Sequence, residues 1–148
     1  MPVQKLARPP IDTGNTFKEY MSEQDSTYNF LYTINATVGT PAQSTQLLIS
    51  INSLQTTFFD EVIGVTEKGA GFYNPQNSSS AEKLGLRTLP VPSDGFSFSA
   101  YRFQDDVCIS SSQPVCVHGF NFYNAVKITA NDFLSAYNLS NIGGILGL

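Results

Sequence analysis

The stretch that decides the fold is residues 28–43, with the sequence YNFLYTINATVGTPAQ. Its larger apolar side chains recur at every second position up to Val38, which is the period of a β-strand with one buried face. Gly39 and Pro41 then interrupt the pattern, because glycine permits a tight turn and proline cannot donate to a strand ladder. The stretch therefore predicts a strand that ends in a turn.

Further strand-like runs follow along the chain. Residues 45–51 are apolar at Leu47, Leu48 and Ile49, and this continuous run predicts a more deeply buried strand. Short runs or alternating aromatic residues predict other strands around 56–59, 96–98, 107–109, 120–122 and 143–148. The pattern as a whole predicts a mostly β fold.

The chain divides into a leader and one domain. Residues 1–26 are polar and punctuated by prolines, so we expect a poorly ordered leader, whereas residues 27–148 form the predicted domain. Turn-forming residues at 74–80 predict a surface loop. One short helix is predicted over 131–137, because Asn131 can cap its first turn.

Charge and composition exclude two classes of partner. The 148 residues carry a net charge of −4, and only 8 of them are Lys or Arg, so nucleic acid is not an expected partner. No apolar run reaches the roughly 18 residues of a membrane span, so no membrane association is expected. The first fifteen residues lack the apolar core of a signal peptide, which suggests a truncated N-terminus or a fragment.

The cysteines and the glycosylation sequons point to an oxidising compartment. Cys108 and Cys116 are either joined in a disulfide that clips a hairpin or remain two free core cysteines in adjacent strands. Sequons begin at Asn35, Asn77 and Asn138, and they favour a secretory origin. Two cysteines and one histidine do not make a zinc spacing, so no metal and no cofactor are expected.

Four ordered motifs carry a resemblance to a known family. They are the Val38–Gln43 segment (VGTPAQ), residues 73–80 (YNPQNSSS), residues 105–107 (DDV) and residues 143–148 (GGILGL). In this order they resemble the N-terminal lobe of the pepsin-like aspartic proteases, over residues 28–148. The resemblance implies one lobe of orthogonally packed sheets with a ψ-shaped crossing and one short helix. It also implies that the strand ending at Ser50 lies beside Gly147.

The catalytic motif of that family is degenerate in this chain. Nine residues after Pro41, where the family has D-T-G-S, stand Ser50, Ile51, Asn52 and Ser53. Family catalysis uses two carboxylates that share one proton, and a serine hydroxyl cannot hold that charge. The flap tyrosine is also absent, since its expected place falls near Ser93, and Thr57 stands near the place of the tryptophan that backs the flap. No catalytic residue of the family is therefore intact.

The resemblance implies an endopeptidase ancestry without activity in this chain. The second aspartate of the family comes from a C-terminal lobe, which these 148 residues do not include. Expected partners are a peptide or protein in a residual cleft, or the missing C-terminal lobe. The family is secreted or lysosomal/vacuolar and uses no cofactor. The alternative is an unrelated, non-catalytic secreted β-domain that binds a peptide or protein partner.

Two other catalytic arrangements are weaker alternatives. Asp12 begins a D-T-G triplet, but it follows two prolines in the leader. It also precedes the G-T-P turn, whereas the family places its aspartate after that turn. Ser50 could form a hydrolase triad with His118 and Asp105, Asp106 or Asp132, but no nucleophile-elbow motif surrounds it. His118 is expected to be a surface or strand-end histidine. Asp105 and Asp106 should point to opposite faces of a strand.

Overall fold

The computed structural model describes residues 3–7, 30–51, 53–64, 72–93, 96–109, 112–128 and 142–148. Within these ranges the chain is mostly β, as predicted, with one short α-helical turn, α1 (Glu61–Gly64), and a 3-10 helix at Pro75–Asn77. The helix predicted over 131–137 lies outside the described residues. The strands are β1 (Val3–Ala7), β2 (Phe30–Val38), β3 (Gln43–Ser50), β4 (Thr57–Phe59), β5 (Glu82–Lys83), β6 (Leu89–Ser93), β7 (Phe96–Ile109), β8 (Val115–Ile128) and β9 (Gly144–Gly147).

Strand pairings join six of these strands into a closed ring. β2 pairs with β3, β3 with β9, β9 with β4, β4 with β8, β8 with β7, and β7 returns to β2. The β3–β9 and β4–β8 pairs are parallel and the others are antiparallel, so the sheet is mixed. β1 adds to β2, while β5 and β6 add to β7. Closing the ring leaves the central strands with few unpaired edges.

Two hydrophobic clusters lie on the two faces of β3. Leu47 belongs to one cluster and Leu48 to the other, because successive strand residues point to opposite faces. The apolar run predicted for this strand therefore reflects burial on both sides. The first cluster contains Ile34, Ala36, Val38, Leu47, Phe58, Tyr73, Phe103, Val107 and Phe122. The second contains Leu48, Phe59, Val91, Phe98, Ala100, Ala125, Ile142 and Ile145.

The alternating pattern of β2 is confirmed over its second half. Ile34, Ala36 and Val38 are all buried, as the sequence predicts. Tyr32 belongs to the same alternating set of apolar residues, but its side chain is exposed. At that end β2 pairs with β1, whereas residues 36–38 lie between β3 and β7. Burial of this face therefore begins where β2 enters the ring.

Three strands, β1, β5 and β6, have no counterpart in the sequence analysis, and β5 is only two residues long. Residues 3–7, which the sequence analysis placed in a polar leader, form β1 against β2. Val3 and Gln4 are exposed, and the sequence of this strand has little apolar periodicity to reveal it. β6 contains Pro90 and Pro92 and, within the described residues, pairs with β7 alone. Prolines are compatible with such an edge position.

The β7–β8 hairpin carries the disulfide. Cys108 and Cys116 stand directly opposite each other in the strand register, with their Cα atoms 4.0 Å apart, and their sulfur atoms are bonded. The disulfide alternative from the sequence is therefore confirmed. Neither cysteine belongs to a hydrophobic cluster, and Cys116 is exposed, so the free core pair is excluded. The bond favours folding in an oxidising compartment.

Candidate functional site

Ser50 is the last residue of β3 and stands beside β9. The two strands run parallel with Ser50 opposite Gly147, which is the neighbour relationship that the sequence analysis predicted. The backbone N–H of Leu148 donates to the carbonyl of Ser50 at 3.1 Å. Ser50 itself is buried, whereas the next residue, Ile51, is 80% exposed. The chain thus leaves the core immediately after Ser50.

The loop that follows Ser50 folds closely over Gly147. Ser53 is buried, and its hydroxyl donates to the carbonyl of Gln55 at 2.9 Å. A Cβ atom on Gly147 would stand 2.5 Å from the Ser53 carbonyl oxygen and 2.7 Å from that of Gln55. Real Cβ atoms do not approach backbone so closely, so glycine is required here for the loop to approach β9. Asn52, the remaining position of the degenerate motif, lies outside the described residues.

Ser50 and Ser53, the buried residues of the degenerate motif that the structure describes, carry hydroxyl groups and no carboxyl group. Ser50 occupies the strand end where the resemblance places an aspartate, and a serine hydroxyl is not a general acid or base near neutral or acidic pH. Ser53 uses its proton for the bond to Gln55. The hydroxyls at this loop can therefore hold hydrogen bonds but cannot supply a carboxylate.

The flap position falls on a hairpin. β6 and β7 pair antiparallel up to Ser93 and Phe96, and residues 94–95 between them lie outside the described residues. Ser93 therefore stands at the end of a hairpin, where the sequence analysis placed the flap. Thr57, at the place expected for the flap-backing tryptophan, is buried on β4, and no donor or acceptor among the described residues reaches its hydroxyl.

The buried carboxylate of Asp105 forms a network that sequence reasoning missed. It accepts hydrogen bonds from the Tyr73 hydroxyl at 2.7 Å, from the Ser80 hydroxyl at 2.6 Å and from the backbone N–H of Asp106 at 2.8 Å. Burial, together with the hydrogen bond and the charge of Asp105, raises the pKa of Tyr73 well above its ordinary range. The motifs at 73–80 and 105–107 were both singled out by sequence, but only the fold brings them together.

Asp106 and His118 face a different environment from Asp105. Asp105 is buried while Asp106 is half-buried, and the register of β7 with β8 is irregular at this point. Asp106 pairs with the Nδ1 atom of His118 at 3.3 Å on the β7–β8 hairpin. The His118 side chain is 83% exposed, which confirms a surface histidine. Asp12 and Asp132 lie outside the described residues.

The sequons differ in access. Asn35 is half-buried in β2 and stands opposite Gln46 of β3. Asn77 is exposed at the end of the 3-10 helix, within the loop predicted at 74–80. Asn138 lies outside the described residues. Asn77 is thus the more accessible of the two described acceptors.

Comparison with known proteins leaves the family open. A scan against models of protein families finds no match for this chain, and a search of curated proteins finds no similar sequence. Among the described residues, no helix is long and apolar enough to cross a membrane. The same residues bring together no group of three His, Cys, Asp or Glu side chains that could hold a metal ion. The resemblance to pepsin-like proteases is therefore an expectation from the sequence motifs alone.

Proposed function

We propose that this chain is a pepsin-like N-terminal lobe that has lost its catalytic carboxylate and binds peptides without cleaving them. The observation that carries the proposal is the position of Ser50 at the end of β3, in parallel register with Gly147 of β9. The D-T-G-S motif of the family would occupy the same strand end. A serine at that point leaves the backbone arrangement in place and removes the charged group.

The exposed surface around Ser50 supports a binding role. Ile51 and Leu54 are 80% and 88% exposed, and both belong to the loop that follows Ser50 at the β3–β9 strand end. Clustered exposed apolar side chains are typical of interaction sites. The disulfide supports a secreted or vacuolar location for this role.

Absence of peptidase activity is the first test of the proposal. The chain should not cleave denatured casein at acidic pH, under conditions where a working aspartic protease does so in a pepstatin-sensitive manner. A variant that restores the motif, Ser50→Asp with Asn52→Gly, should also be inactive as a monomer, because the reaction needs two carboxylates. Pepstatin-sensitive cleavage by the unaltered chain would contradict the proposal.

Peptide binding is the second test. Fluorescein-labelled decapeptides rich in Phe and Leu should bind the chain saturably in a fluorescence polarisation assay. Ile51→Ser with Leu54→Ser should weaken that binding, whereas the control Leu86→Ser, at a leucine that is 93% exposed elsewhere, should not. Equal peptide binding by the original chain, the double variant and the Leu86→Ser control would show that the surface around Ser50 is not the peptide site. Capture of one folded partner through these residues, without affinity for peptides, would favour the alternative of an unrelated binding domain.

A further inference from the structure

A cavity adjoins the first hydrophobic cluster beside the 3-10 helix, and Phe103 belongs to both the cluster and the cavity lining. Its volume is about 380 Å³, within the range of roughly 300–1,000 Å³ that small-ligand sites occupy. Side chains from five segments of the chain line it. Those that matter for its chemistry are Asp60, Gln76, Lys83, Tyr101, Phe103 and Asn124.

Strand register explains why these side chains meet. Tyr101 of β7 stands opposite Asn124 of β8, and Phe103 of β7 stands opposite Lys83 of β5. Residues directly opposite each other in an antiparallel pair share a face of the sheet. Val126 has no partner in the β7–β8 register, so a bulge follows Ala125 at the edge of the cavity. Bulges of this kind re-aim side chains next to functional sites.

A linked polar pair forms one wall of the cavity. The buried amide of Asn124 donates from Nδ2 to Asp60 Oδ2 at 2.6 Å, and no donor among the described residues reaches Asn124 Oδ1. Leaving such an acceptor unpaired costs about 1–3 kcal/mol. Asp60 also accepts a hydrogen bond from the N–H of Val62 at 2.9 Å, and a carboxylate has capacity for further donors. This wall therefore favours a ligand that brings hydrogen-bond donors.

The remaining lining selects against a purely ionic ligand. Lys83 carries a positive charge, and its Nζ lies 3.6 Å from the centroid of the Tyr101 ring. Asp60 carries the opposite charge in the same cavity, so a cation and an anion would each meet a like charge. Neutral hydroxyl groups can pair with both, since each is a donor and an acceptor. The rings of Tyr101 and Phe103 offer an aromatic surface for an apolar face.

We infer that this cavity is a carbohydrate-binding site for a neutral monosaccharide or the end of a neutral glycan. In this arrangement Asp60, held in place by the Asn124 amide, accepts hydrogen bonds from sugar hydroxyls, Lys83 donates to a sugar oxygen, and Tyr101 packs against the C–H face of the ring. The site is separate from the Ser50 strand end, and it does not rest on the proposed peptide-binding function.

The binding test uses the full chain, oxidised at its disulfide and made in a bacterial host so that no glycan at Asn77 competes. Methyl α-glycosides of glucose, mannose and galactose, and N-acetylglucosamine, are titrated into ¹⁵N-labelled protein. At least one should shift the amide signals of Lys83, Tyr101 and Asn124, with a dissociation constant of about 1 mM. n-Butylammonium chloride and inorganic phosphate are the ionic comparison probes.

Matched variants separate the cavity from the rest of the surface. Tyr101→Ala should weaken sugar binding about tenfold, while Tyr32→Ala, at an exposed tyrosine outside the cavity, should leave it unchanged. Lys83→Ala should also weaken sugar binding. Arg102→Ala should not, because Arg102 is an exposed cation of β7 that does not line the cavity. The inference is overturned if no sugar shifts the cavity amides at about 50 mM, or if only an ionic probe does. Binding that both tyrosine variants weaken equally would also overturn it.

Discussion

Gly147 stands opposite Ser50 in the parallel β3–β9 pair. The loop after Ser50 lies so close to the α-carbon of Gly147 that no side chain fits there. The close packing of the loop that follows Ser50 thus depends on a glycine of the neighbouring strand. This packing requirement does not depend on which side chain stands at position 50. The backbone of the site is therefore a structural element whether or not chemistry occurs there.

Gly147→Ala should destabilise the fold by about 1–3 kcal/mol, because the new methyl group meets the backbone carbonyls of Ser53 and Gln55. Urea unfolding followed by circular dichroism measures the change. Gly85→Ala is the matched control, since nothing lies within 4 Å of a Cβ at that position. Equal midpoints for the two variants would mean that the loop moves aside at little cost.

Ser80→Ala should cost about 1.5–3 kcal/mol, because it removes a 2.6 Å hydrogen bond to the buried carboxylate of Asp105. Ser44→Ala, at an exposed serine of β3, should change the free energy of unfolding by less than about 0.5 kcal/mol. Denaturant unfolding of the two variants side by side makes the comparison. A cost at Ser80 no larger than that at Ser44 would show that the network adds no stability.

Tyr73→Phe should change how stability depends on alkaline pH. The pKa of Tyr73 is raised in the folded state, so the stability it contributes is present below the ordinary tyrosine pKa of about 10 and is lost as the pH rises above it. The difference in free energy of unfolding between the original chain and Tyr73→Phe should shrink by about 1.4 kcal/mol per pH unit above that point. Unfolding measured from pH 8 to 11 tests this; these values bracket the ordinary pKa of about 10.

The exposed Tyr32 provides the control for that experiment. Tyr32→Phe should leave the alkaline slope of the original chain nearly unchanged. Parallel slopes for the original chain and Tyr73→Phe would contradict the assignment of a raised pKa to Tyr73.

Cys108→Ser with Cys116→Ser should lower stability by about 2.5 kcal/mol, because the unfolded chain regains the freedom of the loop between the two residues. Reducing the original chain should produce a similar loss, and the same reductant should leave the double variant unaffected. Thermal unfolding with and without reductant measures both. A reductant effect on the double variant would point to a cause other than this disulfide.

Asn77 should be glycosylated when the chain passes through a secretory pathway, and Asn35 should not. Asn77 is exposed on the 3-10 helix, whereas Asn35 is half-buried within paired β2. Intact-mass measurement before and after glycosidase treatment should show that Asn77→Gln loses one glycan. Loss of a glycan in Asn35→Gln instead would contradict the prediction that exposure decides which of the two asparagines is glycosylated.

Local sequence patterns were sufficient to predict most of the ring strands. The alternation in β2 and the apolar run in β3 follow directly from which faces are buried, and the short separation of Cys108 and Cys116 suits a hairpin disulfide. β1 and β6 escaped prediction for different reasons: residues 3–7 have little apolar period, and the two prolines of β6 argue against a strand although Val91 is buried in the second cluster. A strand is predictable from sequence where the burial of one face gives its apolar residues a regular period and no proline interrupts it.

The sequence by itself determined that the chain is a β-rich domain with no aspartate at the Ser50 position. Only the tertiary structure decided that Asp105 meets Tyr73 and Ser80, and that Asp60 meets Asn124. These pairs are separated by 25 to 64 positions along the chain, and a local pattern carries no information about such a separation. Closure of the strand ring brings them together, since cross-strand register rather than sequence distance sets which side chains share a face.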